Sequence, residues 1–202
     1  MTESDLHRHR NAIRREMRAR RRALSPKERG KADHALRTHV RSLPAFRAAR
    51  RVGVFIAFDG EPDLRRLISG AASRKKRFFV PVLAGARMRF AALTHGARLA
   101  KNFFGILEPP AGRTVDARTL DLVLMPLVAF DARGTRLGVG RGYYDRRFAF
   151  LRARQRWLKP KLLGVGYALQ EVPALEIRPW DIPLWGVVTE NGVRRFTGGG
   201  RQ

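Results

Sequence analysis

Between Asp131 and Asp145 the chain places two arginines beside three glycines at alternate positions, then two tyrosines and an aspartate, DARGTRLGVGRGYYD. Glycines without a Cβ allow the backbone to turn through positive φ and to approach a ligand closely. Backbone amides at the start of a helix, with fixed positive charge beside them, favour anions. Arg136 and Arg141 bracket Gly138, Val139 and Gly140, with Gly142 next, and supply planar forks suited to phosphate oxygens. Asp145, just past the loop, is placed to hold a divalent cation against phosphates. The spacing therefore predicts a nucleotide-phosphate site with a metal. It fits neither the GxGxxG dinucleotide pattern nor the GK[ST] ending of a P-loop, so a tight structural turn is the competing reading.

The elements around the loop can position it. Leu122–Met125 is an apolar run of strand length, ended by Pro126, and a helical segment follows Asp145 to about Arg154. Residues 5–24 read as a basic helix with a narrow apolar stripe at Ile13, Met17, Arg20/Arg21 and Leu24. Ser25-Pro26-Lys27-Glu28 is a capping box that restarts the helix, which runs to about Leu43 and makes residues 5–43 a helical N-terminal segment. Strands are expected at Val52–Ala57, Phe78–Leu83, Met88–Leu93 and Lys161–Ala168, with a helix starting at Pro62. Residues 111–121 read as polar connection and 194–202 as a flexible tail. Strands alternating with helices predict one α/β domain over 1–202, with a mostly parallel sheet. Glu61 falls beyond a strand's carboxyl end, where open α/β sheets bind ligands; its structural alternative is to face a helix N-terminus.

At 202 residues the chain suits one buried core. The absence of cysteine excludes disulfides and thiolate chemistry. No apolar run reaches membrane-spanning length and no secretory h-region opens the chain, so a cytoplasmic protein is expected. The formal charge of +25 attracts polyanions. Only seven of the 42 basic residues are lysine, and they are spread along the chain rather than gathered in a tail.

The string PLVAFDARGTRLGVGRGYYDR closely resembles the signature of the 5-formyltetrahydrofolate cyclo-ligase family, with Leu127 where that family usually has glycine. NFFGILEPP and the closing PALEIRPWDIPLWGVVTE extend the resemblance from about Arg10 to Glu190. It implies a three-layer α/β/α fold. It also implies ATP- and Mg2+-dependent closure of 5-formyltetrahydrofolate, with or without a polyglutamate tail, to 5,10-methenyltetrahydrofolate, with ADP and phosphate released. By the same resemblance Arg10 and Arg14 reach the ATP phosphates, together with Arg136, Gly138 to Gly142, Tyr143 and Tyr144. Arg136, Arg141 and Tyr143 then act in catalysis. Ile56, Glu61, Tyr143 and Tyr144 contact the folate, Glu61 at its pterin, and Asp145 and Asp181 hold magnesium. Arg178, Trp180 and Trp185 depart from the family's usual glutamate, histidine and second aspartate. Phe103 and Phe104 could wall an aromatic ligand or pack in the core; Glu108 is expected to be structural and the five histidines to lie at the surface.

A monomer is expected. The alternative function is a polyanion or nucleic-acid binder without turnover, gripping backbone phosphate with salt-dependent affinity. Neither a binding motif nor a stacking platform accompanies the charge, so nucleic-acid binding is expected to be nonspecific only. A relative acting on another small molecule is the third reading.

Overall fold

The computed structural model describes residues 2–70, 74–85, 87–94, 96–110, 112–153 and 159–196. Helix α1 (Glu3–Ala23) starts at Thr2 and α2 (Pro26–Ser42) at Ser25, and each is closed by a capping box, Thr2 with Asp5 and Ser25 with Glu28. The short α3 (Pro44–Ala48) leads into β1 (Arg51–Gly53). Then follow α4 (Arg65–Ile68), β2 (Arg77–Ala84), β3 (Arg87–Leu93), β4 (Ala100–Lys101), β5 (Leu107–Glu108) and β6 (Thr114–Val115). The second half runs β7 (Leu122–Pro126), β8 (Ala129–Phe130), β9 (Arg136–Leu137), α5 (Tyr143–Phe148), α6 (Phe150–Ala153), β10 (Lys161–Val165), β11 (Gly186–Thr189) and β12 (Gly192–Arg195).

The main sheet has eight strands in the order β12-β11-β10-β7-β1-β2-β3-β6. Pairing is parallel from β11 through β10, β7 and β1 to β2, and antiparallel at both margins. Alternation along each central strand divides the core. Leu122 and Leu124 join Leu163, Val165 and Val188 under α2, α3 and α4. Val123 and Met125 join Leu162, Val187 and Phe148 on the opposite face, under α5 and α6. Burial of each such side chain contributes about 1.5–3 kcal/mol, enough to set the register and hold helices on both faces. This is the three-layer arrangement the alternating pattern implies.

Several boundaries differ from expectation. The first strand ends at Gly53 rather than Ala57; Val54 still donates to the Phe79 carbonyl at 2.8 Å. Beyond it the chain leaves the sheet for a turn in which Asp59 takes φ 53°. Pro62 does not open α4, because the Asp63 carboxylate accepts from the Arg65 amide at 2.9 Å and the helix begins there. The connection before β7 contributes the edge strand β6 and a turn that buries Ala117 and Leu120. The helix after Asp145 breaks at Ala149 into α5 and α6, and residues 154–158 lie outside the described set. The strand from Lys161 stops at Val165. Arg194 and Arg195 are not tail but belong to β12, where Arg194 pairs with Glu171 at 2.5 Å; residues 197–202 lie outside the described set.

Leu127 shows how a departure from a pattern is accommodated. A Cβ on Gly164 or Gly166 would come within 2.7 Å of a Leu127 methyl. The glycines of the neighbouring strand and its exit leave the space that the leucine fills. Among the described residues no helix is long and apolar enough to cross a membrane.

Candidate active site

The carboxyl ends of β1 and β7 and the β9–α5 loop meet beneath α1, whose Ile13 and Met17 pack on Val128, Ala129 and Leu137. Gly140 and Gly142 take φ of 99° and 63°, the left-handed conformations the glycine pattern requires, and Gly142 caps α5. Gly138 offers its carbonyl to Arg14 Nε at 2.9 Å, so α1 grips the loop directly. Val139 projects into solvent at the loop tip. Arg141 lies over the Phe104 ring at 4.7 Å. Tyr143 donates its hydroxyl to the Gly85 carbonyl at 3.3 Å, with Arg146 over its ring.

Arg136 is buried and committed rather than free for phosphate. Its Nη2 donates to Asp145 Oδ1 at 2.6 Å and its Nη1 donates to the Ile182 carbonyl. The Ile182 amide donates to the same Asp145 oxygen at 3.2 Å, which brings Asp145 beside the segment carrying Asp181. Asp181 Oδ2 accepts from Arg10 Nη1 at 3.1 Å and from the Arg178 amide at 3.0 Å. In each carboxylate one oxygen takes all the protein donors. The other, Asp145 Oδ2 or Asp181 Oδ1, has no hydrogen-bond partner among the described residues. Two aspartates each with an oxygen to spare fit a hard cation such as Mg2+ that keeps most of its waters. Among the described residues no group of three or more His, Cys, Asp or Glu is gathered to hold a metal ion, so these two carboxylates stand without a third.

Glu61 lies at the other side of the site, buried against Arg21 on α1, with Oε1 4.0 Å from Arg21 Nη1. Burial pushes its carboxyl up to about 7, while Arg21 and the Phe58 amide, which donates to Oε2 at 3.2 Å, oppose the rise. Tyr144 senses both Glu61 and Arg136; burial first, and then the Glu61 charge, raise its hydroxyl well above the usual tyrosine range. It is therefore a fixed hydrogen-bond donor at neutral pH. Ile56 is half-buried at the margin of the adjoining core.

Arg21 and Asp59 are the residues the chain pattern did not single out for function. Arg21 is 1% exposed. Its Nη2 donates to the Asp59 carbonyl at 2.9 Å and to Asp59 Oδ2 at 3.1 Å, and its Nη1 to the Leu127 carbonyl at 3.3 Å. Arg18 and Arg22 donate to the same aspartate. The signal was present: an arginine on the apolar stripe, one turn past Met17, needs a partner wherever that stripe is buried. Gln170 is fully buried, accepts from the Tyr167 amide and donates to the Leu127 and Val128 carbonyls, each at 2.8–2.9 Å. It braces the exit of β7.

Phe103 is 96% exposed and not part of a core. Glu108 is structural, accepting from Asn102 Nδ2 at 2.7 Å and from the Leu83 amide at 3.2 Å. His7, His9 and His34 are exposed, whereas His39 is half-buried against the Glu190 carbonyl; His95 lies outside the described set. A cavity of about 460 Å³ between α4, β2 and β3 lies at the amino end of β2 and the carboxyl end of β3, away from the loop.

The model of the 5-formyltetrahydrofolate cyclo-ligase family matches residues 7–190. The chain belongs to that family. It is 36% identical to the 5-formyltetrahydrofolate cyclo-ligase of Escherichia coli (strain K12) over 88% of this chain and 98% of the relative. To that of Haemophilus influenzae it is 31% identical, over 89% and 96%. The NMR structure of Aquifex aeolicus 5,10-methenyltetrahydrofolate synthetase superposes with a TM-score of 0.80 at 32% identity, covering 96% of this chain and 95% of the other. Membership in this cyclo-ligase family makes the chain an enzyme, a ring-closing ligase with a folate substrate.

Proposed function

We propose that the chain converts 5-formyltetrahydrofolate and ATP to 5,10-methenyltetrahydrofolate, ADP and phosphate, with Mg2+. The observation that carries this reading is a glycine loop gripped by Arg14 and running straight into Tyr144, whose hydroxyl lies in the field of the part-buried Glu61. One side suits polyanions; the other suits the N–H groups of a pterin.

The chemistry asks the protein for positioning and charge neutralisation rather than a covalent intermediate on a side chain. The γ-phosphoryl group passes to the formyl oxygen and ADP departs. N10 then attacks the formyl carbon, the carbon–oxygen bond breaks, phosphate leaves with that oxygen, and N10 gives up its proton as the ring closes. Arg10, Arg14 and the amides of Gly138 to Gly142 hold the phosphates, with Arg141 free to swing from Phe104. Arg136 keeps Asp145 oriented. Asp145 and Asp181 would hold Mg2+, which supplies neutralisation of the phosphate charge. Glu61 and Ile56 seat the pterin, and the Tyr144 hydroxyl donates toward the reacting oxygen while Tyr143 walls the phosphate side.

The test follows methenyl product by absorbance and ADP release together. Both are expected only when ATP, Mg2+ and 5-formyltetrahydrofolate are all present. Product formed without ATP, or ADP released at the same rate without folate, would discard the coupling. Activity at strand ends of this kind needs no nucleic acid, and the spread-out charge of +25 adds only nonspecific polyanion affinity.

A further inference from the structure

We infer that Arg178 is a third phosphate-binding guanidinium of the nucleotide site, held ready by Trp180. The inference rests on the ATP reading above and concerns a residue that reading leaves unassigned.

Position comes first. The Arg178 amide donates to Asp181 Oδ2 at 3.0 Å, the same oxygen that accepts from Arg10 Nη1 at 3.1 Å. Arg178 therefore stands at the rim of the Arg10–Asp181 pair, and Arg14 lies one turn along α1 from Arg10. Hydrogen bonding sets Arg178 apart from these neighbours. Arg10 donates to the Glu176 carbonyl at 2.9 Å as well as to Asp181, Arg14 donates to Gly138 and Asn11, and Arg136 donates to Asp145 and Ile182. The Arg178 guanidinium makes no hydrogen bond or ion pair among the described residues. It rests over the half-exposed Trp180 ring at 5.4 Å.

A cation–π contact with the indole uses none of the five guanidinium donors, so all remain available to a ligand. The side chain thus loses less freedom when it meets a ligand. Charge supplies the second argument. Arg10, Arg14 and Arg178 lie near one carboxylate, Asp181, and among the described residues only the Arg10 guanidinium pairs with it. Burial lowers the pKa of Arg14, and the charges of Arg10 and then Arg178 press the same way, so the three share one field. The buried Arg10 Nε has no partner among the described residues. A cluster with unneutralised positive charge and a spare buried donor is complementary to an anion of at least two charges, which a triphosphate tail provides.

The test measures equilibrium binding of ATP with Mg2+ by calorimetry, for the wild type and for Arg178→Lys, Arg178→Ala and Arg178→Glu. Binding of 5-formyltetrahydrofolate and the melting temperature are recorded on the same proteins. ATP affinity is expected to fall in the order Lys, Ala, Glu, roughly tenfold for Ala, as for one lost charge-assisted hydrogen bond. Folate affinity and melting temperature should hold. Equal ATP affinity in all four proteins, or a loss unrelated to the charge at position 178, overturns the assignment while leaving the ATP reading in place. A wild type that binds 5-formyltetrahydrofolate but not ATP removes the reading beneath it.

Discussion

Two arginine clusters lie along α1 and face the same end of the sheet, yet they are satisfied to different degrees. At the Asp59 end Arg18, Arg21 and Arg22 all close on Asp59, and Arg21 adds two backbone carbonyls and the neighbouring Glu61. At the glycine-loop end, among the described residues, Arg10 alone pairs with Asp181, while Arg14 is held by the Gly138 carbonyl and Asn11. There, among the described residues, one buried donor is orphaned and one guanidinium stands free of ion pairs. The first cluster is complete without a ligand, so its work is to hold a left-handed turn and a partly desolvated acid in place. The second is complete only with an anion. Full pairing makes structure; deficient pairing makes a binding site.

The contrast can be broken most sharply at Asp145. Asp145→Asn should lower kcat by about a thousandfold, since phosphoryl transfer loses its metal anchor. The asparagine oxygen still accepts from Arg136 and the Ile182 amide, so the fold should persist, with a melting temperature lowered by the lost counter-charge of the buried Arg136. Undiminished turnover would remove the metal from this side. Arg21→Ala should do the reverse: a stability loss of about 3 kcal/mol in urea unfolding, because the Asp59 main-chain carbonyl loses both its donors and Glu61 its facing charge. A loss below about 1 kcal/mol would show that the Asp59 cluster is not structural.

Glu61 sharpens the comparison through pH. Its folded carboxyl titrates near 7 against an ordinary value of 4.5, so the folded state binds the extra proton between those values. The contribution is fully present below about pH 4.5 and is lost as pH rises through 7. Stability should decline over that window by an amount on the order of 3 kcal/mol. Glu61→Gln should flatten the decline and weaken folate binding with ATP binding unchanged; an unaltered pH profile would place the burial effect elsewhere. The smallest effect belongs to Arg22→Ala. Its guanidinium is the solvent-exposed member of the Asp59 clamp, and a change under about 1 kcal/mol is expected from thermal unfolding.

Local features are legible in the chain itself. The αL glycines Gly140 and Gly142, the Ser25–Glu28 capping box, the buried run Leu122–Met125 and the alternation of strands with helices all act within a few residues. Backbone sterics, caps and periodicity need no distant partner. The loop with Arg136, Arg141 and Asp145 is legible for the same reason, being contiguous in the chain.

Tertiary structure decided what depends on residues far apart. Arg20 and Arg21 are adjacent and chemically identical, yet only Arg21 enters the interior, because Asp59, Glu61 and the Leu127 carbonyl wait there. Arg136, whose spacing suggests a phosphate ligand, is turned onto Asp145 and Ile182, the latter 46 residues away. Leu127 fits because Gly164 and Gly166 lack side chains, and Gln170 has a role only where the exit of β7 passes beside it. By itself the sequence determined where the chain bends, where it pairs and where it carries charge. Which of the 42 basic residues are silenced by a partner and which remain open to a ligand was settled only when the fold brought the scarce acidic groups beside some of them and not others.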